Sequence, residues 1–180
     1  MGIIVSKTSA LASLYGTPQP ASGLSFLSGL SPSLPGWYYV DERFNRMFKN
    51  MQYTPLQIQN YRIHLSELEK CLNAKYWPSK TSDGITLIVI GSWLKNTPVR
   101  TCSDIDVIFL LPYSVRERYA LRTGNVQSAL LQEIKQTLFT SYPTTDIKGD
   151  GPTVVVDFST IKVEIAPAFL DEAGSRVISD

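Results

Sequence analysis

Three acidic side chains and one small-residue turn are the parts of this sequence best suited to chemistry. Asp104 and Asp106 alternate with Ile105, so in a strand both carboxylates leave the same face. Two acceptor-only groups a pleat apart repel each other, and a divalent cation between them turns that cost into binding energy. The plainer alternative is a solvated polar face, with Ile105 and Val107 turned to the core. Aspartate is depleted in strands, which weakens that alternative, and here two of them open the apolar run Val107 to Leu111. Upstream, the run Ile85 to Ile90 stops at Gly91-Ser92. A strand that ends there and turns into a short helix offers backbone N–H groups and the Ser92 hydroxyl to a phosphate, and Gly91 lets the anion come close. A simple tight turn is the competing reading. A third acid could be Glu164, with Val163 and Ile165 on the opposite strand face. Lys162 shares the face of Glu164, so a surface Lys–Glu pair is its competing reading. Asp157, beside a turn, is a rival for the same part.

The elements that must hold these residues are legible from periodicity and turn chemistry. Residues 6 to 36 are rich in Ser, Pro and Gly and sustain no period, so residues 1–37 are expected to be a flexible or surface-draped arm. Leu24, Phe26, Leu27 and Leu30 could tack part of it down. The folded domain is expected over 38–180. Asp41 can cap a helix carrying Phe44, Met47 and Phe48. Thr54 before Pro55 predicts a second helix, running through Leu56, Ile58, Tyr61, Ile63, Leu65, Leu68 and Leu72 to about Lys75. Ile85 to Ile90 and Asp104 to Leu111 predict two strands. Ser114 to about Thr140 reads as helical with an interruption at Thr123-Gly124-Asn125, and Leu130, Leu131, Ile134 and Leu138 mark a buried face. Gly149-Asp150-Gly151 signals a turn. Thr153 to Phe158 and Ile161 to Ala166 form a hairpin around Ser159-Thr160. This order predicts a mixed α/β or α+β sheet with helices on one side.

Composition narrows the function classes. Of 180 residues, 43% are apolar and 18% charged, enough to bury a core. Seventeen basic residues against sixteen acidic ones give a formal charge of +1, without the basic footprint that duplex nucleic acid usually needs. Cys71 and Cys102 make no disulfide framework and no CxxC pair, and His64 is the lone histidine. Any metal must therefore be held by carboxylates, which selects magnesium or manganese. No apolar run is long enough to span a bilayer, and no secretory pattern opens the chain, so a cytoplasmic location without membrane contact is expected. The opening Met1-Gly2-Ile3-Ile4-Val5-Ser6 fits a loose myristoylation pattern and is read as chance.

Taken together, the motifs resemble the nucleotidyltransferase superfamily with the DNA polymerase β-like fold. Ile90-Gly91-Ser92 is followed by eleven residues and then Asp104-Ile105-Asp106, with a third acid on a later strand. The longer string from Gly91 to Val107, including Lys95, Asn96, Thr97 and Ser103, is similar to the CD-NTases, the cGAS/DncV-like synthases of cyclic-oligonucleotide messengers that carry a SMODS-type domain. In that branch the third acid precedes Pro-Ala-Phe. Glu164-Ile165-Ala166-Pro167-Ala168-Phe169 matches, which assigns the third acid to Glu164 rather than Asp157. Two positions depart from the pattern. Asn96 stands where Gly is usual, though Asn tolerates the left-handed turn, and Glu164 replaces the commoner Asp. The family also continues into a C-terminal helical lobe that this chain does not reach.

The resemblance implies transfer of a nucleotide from an NTP to a hydroxyl with release of pyrophosphate. It implies Asp104, Asp106 and Glu164 as catalytic residues and as ligands of two Mg²⁺ ions, with Mn²⁺ as a substitute. Gly91, Ser92, Lys95 and Thr97 would hold the triphosphate, with Arg100 a further candidate contact and Ser103 capping the strand entry. The implied partners are ATP, GTP or other NTPs and a regulatory or effector protein. The implied role is a cyclic or short linear messenger in bacterial anti-phage defence. Two alternatives are a small nucleotidyltransferase of toxin–antitoxin or antibiotic-modifying type, and a truncated, inactive nucleotide-binding domain.

Overall fold

The structure, a computed structural model, describes residues 35–79, 85–95, 97–100, 104–170 and 176–178. Two helices lead in. Helix α1 spans Pro35–Met51 and α2 spans Pro55–Tyr76. The start of α1 lies ahead of the expected Asp41 cap and cuts three residues off the arm assigned to 1–37. Proline is tolerated in the first helical turn, where its missing N–H costs nothing, so the Pro35-Gly36 pair opens this helix instead of blocking it. The rest of the expected arm lies outside the described residues. Apolar Phe44 and Met47 on α1 stay more than half exposed.

The start of α2 was legible residue by residue. Thr54 Oγ1 accepts from Gln57 N at 3.3 Å, and Thr54 N donates back to Gln57 Oε1 at 3.0 Å. This reciprocal pair satisfies two otherwise orphaned groups, and Pro55 follows at the first helical position. Of the apolar positions expected on its inner face, Tyr61, Leu65, Leu68 and Leu72 are buried, while Leu56 and Ile63 remain exposed. The buried set follows the three-to-four residue spacing that keeps side chains on one stripe, and Ile63 falls off it.

After α2 come strand β1 (Leu87–Val89), the single turn α3 (Gly91–Leu94), β2 (Asp104–Leu111), α4 (Tyr113–Ala120) and α5 (Val126–Ser141). Four strands close the chain: β3 (Asp146–Asp150), β4 (Thr153–Phe158), β5 (Ile161–Leu170) and β6 (Arg176–Ile178). The expected interruption between α4 and α5 is real, and the Asn125 side chain caps α5 by accepting from Ser128 N at 2.9 Å. The sheet order is β1-β2-β5-β4-β3, with β6 also on β5. The β2–β5 pair is parallel and the other pairs are antiparallel. Strands β3 and β6 were not anticipated, and β5 runs past Ala166 through Pro167 to Leu170.

One face of the sheet takes α2 and α5. Leu65, Leu68 and Leu72 of α2 and Leu130, Ile134 and Leu138 of α5 join Ile105, Val107, Phe109, Val163 and Ile165 in one buried cluster. Each such side chain contributes roughly 1.5–3 kcal/mol by leaving water. Glu69 and Asn73 of α2 fasten the entry to β1. Glu69 Oε1 accepts from Thr86 N at 3.0 Å and Leu87 N at 3.2 Å, and the buried Thr86 hydroxyl lies 2.7 Å from Asn73 Oδ1. On the helical side, the Glu133 carboxylate takes Arg118 at 2.8 Å, Lys75 at 3.6 Å and the Tyr119 hydroxyl at 2.7 Å, which ties α2, α4 and α5 together.

Candidate active site

The face opposite α2 and α5 carries the acids. Alternation along β2 buries Ile105 and Val107 completely and turns Asp104 and Asp106 outward. Strand β5 alternates in the same way, with Val163 and Ile165 inward and Lys162 and Glu164 outward. In the parallel β2–β5 pair Asp104 stands opposite Lys162, and Asp106 stands opposite Glu164. Partners at one register position share a face, so all four side chains rise side by side. Strand β1 runs antiparallel and ends where β2 begins, which brings Gly91 and Ser92 to the same end of the sheet.

Gly91 is placed by a close approach. Its φ is +64°, and a Cβ there would collide with the Asp106 carboxylate. The contact is locked from the backbone as well, because Ile90 N donates to Asp106 O at 2.9 Å. The turn itself closes on Ser92, whose carbonyl accepts from Thr97 N at 2.9 Å and from Thr97 Oγ1 at 3.4 Å. Lys95 N bonds Gly91 O at 3.3 Å. Gly91, Ser92, Lys95 and Thr97 therefore lie in one short loop against Asp106. An aromatic trio holds that loop down: Trp93 packs on Tyr53 and Tyr61 with ring centroids 4.9 and 5.3 Å apart. Tyr53 Oη donates to Val99 O at 3.2 Å, and Arg100 N donates to Met51 O at 2.8 Å, pinning the far side of the loop. Asn96 and Ser103 lie outside the described residues.

Lys162 is more than the surface partner of Glu164 that the sequence suggests. Its ammonium is 2.7 Å from Glu164 Oε1 and donates to Asp104 Oδ2 at 3.3 Å, bridging carboxylates from two strands. The i,i+2 relation to Glu164 was visible in sequence, whereas the contact with Asp104 depends on the parallel register. Asp157 stands opposite Lys162 on β4, one strand farther from β2, and is exposed. Burial raises the Asp106 pKa, the charges of Glu164 and Asp104 raise it further, and Lys162 partly offsets them. Like charges crowded in one place resist ionising together.

The donor set suits a hard divalent ion, since it offers carboxylate oxygens and no nitrogen or sulfur. Gly91 leaves the Asp106 carboxylate the room a side chain would take. Among the described residues, however, no three acidic, His or Cys side chains are drawn together tightly enough to hold an ion as they stand. The expected set of Asp104, Asp106 and Glu164 shares a face and register but is held open, with the Lys162 ammonium between two of its members.

The Second Messenger Oligonucleotide or Dinucleotide Synthetase domain, SMODS, matches residues 39–180. The chain belongs to the SMODS family. A CCA-adding enzyme of Saccharolobus shibatae is 32% identical over 92 residues, 51% of this SMODS chain and 20% of the relative. Among solved structures, CdnC of E. coli MS115-1 in complex with HORMA-deltaN superimposes with a TM-score of 0.50 at 19% identity, covering 73% of this chain and 44% of that one. The CdnE cyclic dinucleotide synthase of Elizabethkingia meningoseptica, solved with GTP and Apcpp, gives a TM-score of 0.44 at 17% identity over 71% of this chain and 55% of that one. The SMODS chain thus has the nucleotidyltransferase fold and spans less than half the length of CdnC. Among its described residues, no helix is long and apolar enough to cross a membrane.

Proposed function

We propose that this SMODS domain transfers a nucleoside monophosphate from an NTP to a ribose hydroxyl, releasing pyrophosphate, to build a cyclic or short linear oligonucleotide messenger. The observation that carries the reading is the register of β2 on β5, which aligns Asp106 with Glu164 and Asp104 beside them on the face opposite α2 and α5. Asp104, Asp106 and Glu164 would hold magnesium, and such ions supply Lewis-acid stabilisation of the entering and leaving oxygens. The chain's own parts supply the positioning. The loop that opens at Gly91 offers the Ser92 hydroxyl and the Lys95 ammonium to a triphosphate, while the Lys95 and Thr97 N–H groups close the turn on Gly91 O and Ser92 O. Gly91, packed on Asp106, sets the distance between that loop and the acids. The trio of Tyr53, Tyr61 and Trp93 keeps the loop from yielding when phosphates bind.

A role in anti-phage defence, and a regulatory protein partner, follow by analogy with the CD-NTase family; CdnC was solved with HORMA-deltaN. The likeness to CCA-adding enzymes supports a second reading, addition of nucleotides to an RNA 3′ end. One experiment separates the readings. The chain is incubated with labelled NTPs and Mg²⁺, with and without an RNA primer, beside an Asp104→Ala/Asp106→Ala control. A new oligonucleotide made without primer and absent from the control is the expected result. Extension of the primer alone selects the second reading. Neither turnover nor Mg²⁺-dependent NTP binding that differs from the control refutes both.

A further inference from the structure

A lysine standing inside a carboxylate site has no part in the transfer reaction as derived above. Lys162 Nζ touches Glu164 Oε1 and Asp104 Oδ2, two of the oxygens an entering ion would need. We propose that Lys162 is the resident counter-ion of this site and must be displaced by the divalent cation, so that it sets the metal affinity of the empty domain. The proposal rests on the nucleotidyltransferase reading of the three acids.

The geometry supports exclusion rather than mere proximity. The ammonium joins β2 to β5 across the register pair Asp104–Lys162, and its contact with Glu164 runs along its own strand. With Lys162 there, one cation already serves two of the three carboxylates. Asp106, the third, stands at the next outward-facing register pair, opposite Glu164, with no ion pair to the ammonium among the described residues. That accounts for a site whose acids share a face without closing on one point. Release is feasible because the side chain is 29% exposed and sits on a flexible four-carbon stem.

Lys148 provides the control. It stands opposite Val155, which stands opposite Glu164, so it occupies the same face two strands from the acid. Its nearest acid is Asp146 at 4.0 Å. Removing its charge tests through-space repulsion of the metal without touching the bridge.

The test is nucleotide-free Mn²⁺ titration of the full chain, with free Mn²⁺ read by electron paramagnetic resonance. Folding of each variant is checked by its urea midpoint. Lys162→Met and Lys162→Gln are expected to bind Mn²⁺ at least about tenfold more tightly than wild type, the scale of one nearby unit charge removed from a partly screened site. Lys162→Arg is expected to bind no more tightly than wild type, and Lys148→Met to stay within about twofold. The proposal is overturned if Lys162→Met and Lys162→Gln both stay within twofold of wild type, or if Lys148→Met tightens binding as much as they do. An Asp104→Asn/Asp106→Asn variant keeps the two failures apart. If it loses Mn²⁺ while the lysine variants change nothing, only the counter-ion role fails. If it binds as wild type does, or if no variant binds, the three-acid reading fails and the counter-ion role with it.

Discussion

Substituting Gly91 by alanine probes the contact on which the site's geometry depends. Two costs add. At φ +64° an L-residue pays roughly 1–2 kcal/mol for the left-handed conformation. The new methyl group also meets the Asp106 carboxylate, and forcing extra volume into a packed contact costs roughly 1–3 kcal/mol. Gly91→Ala should therefore destabilise the chain by about 2–5 kcal/mol, measured as a shift in the urea transition with an unchanged m-value. The carboxylate can escape only by rotating away or by dragging the end of β2, because Ile90 N holds Asp106 O at 2.9 Å. The separating assay is a double-mutant cycle with Asp106→Ala. Without the carboxylate, the alanine methyl has room, and only the backbone share, about 1–2 kcal/mol, should remain. The coupling energy between the two positions should then be about 1–3 kcal/mol. If Gly91→Ala costs the same in both backgrounds, the methyl and the carboxylate never meet and the close approach described for this site is wrong.

Further consequences follow from other contacts. Asp106→Asn removes a half-buried charge and its repulsion from Glu164 and Asp104 and should raise the urea midpoint of the metal-free chain at pH 7 while abolishing turnover; a lower urea midpoint than wild type would contradict this. Because the folded pKa of Asp106 is raised, its ionised form opposes folding, so this gain should shrink as pH falls and wild-type Asp106 protonates. Glu133 has the opposite sign. Burial pushes its pKa up, but hydrogen bonds from Tyr119 and Arg118 and the charges of Arg118 and Lys75 outweigh it and leave the pKa lowered. Its contribution is complete above the ordinary carboxylate pKa and is lost as pH falls through the lowered one. Glu133→Gln should thus cost about 1–2 kcal/mol at pH 7 and progressively less in acid, as read from urea curves at several pH values. Glu69→Ala leaves Thr86 N and Leu87 N without their acceptor and should cost about 2–3 kcal/mol, whereas Glu69→Gln keeps an oxygen there and should cost less than half of that.

Much of this architecture was legible in the sequence because the local signals were strong. Thr54-Pro55 with Gln57 carries the complete chemistry of a helix start, and Asn125 after Gly124 marks the start of α5. The stretch Asp104 to Leu111 alternates cleanly enough to fix both strand and face. Strand β3 escaped notice because only Ile147 of its five residues is buried. Its Asp146, Lys148, Gly149 and Asp150 have the composition of a turn, and pairing with β4 alone makes it an edge strand. Strand β5 was cut short at Ala166 because proline interrupts most strands, and pairing with β2 carries it through. For the site, the types and spacing of the acids were readable, whereas the bridge made by Lys162 was not. A contact between residues 104 and 162 depends on which strands pair and in which register, and no local period encodes that.

That register also explains why the core and the site cannot vary independently. On β2 and β5 the side chains that seal the helical core, Ile105, Val107, Val163 and Ile165, alternate with Asp104, Asp106, Lys162 and Glu164. A one-residue slip of β5 against β2 would set Glu164 beside an inward-facing position and push carboxylates into a cluster that holds Leu68, Leu72 and Ile134. Burying one unpaired charge there would cost more than the whole stability of a small domain tolerates. The fully buried residues of the pair are therefore what keeps Asp106 aligned with Glu164, although none of them touches the acid face. Enlarging or shrinking Val163 should disturb metal affinity at Asp106 as well as stability, and the two effects should scale together across a Val163→Ala, Val163→Thr and Val163→Ile series measured by Mn²⁺ titration and urea denaturation. Stability that falls across the series while Mn²⁺ affinity stays constant would show that the acids are held by the loop at Gly91 and not by the sheet.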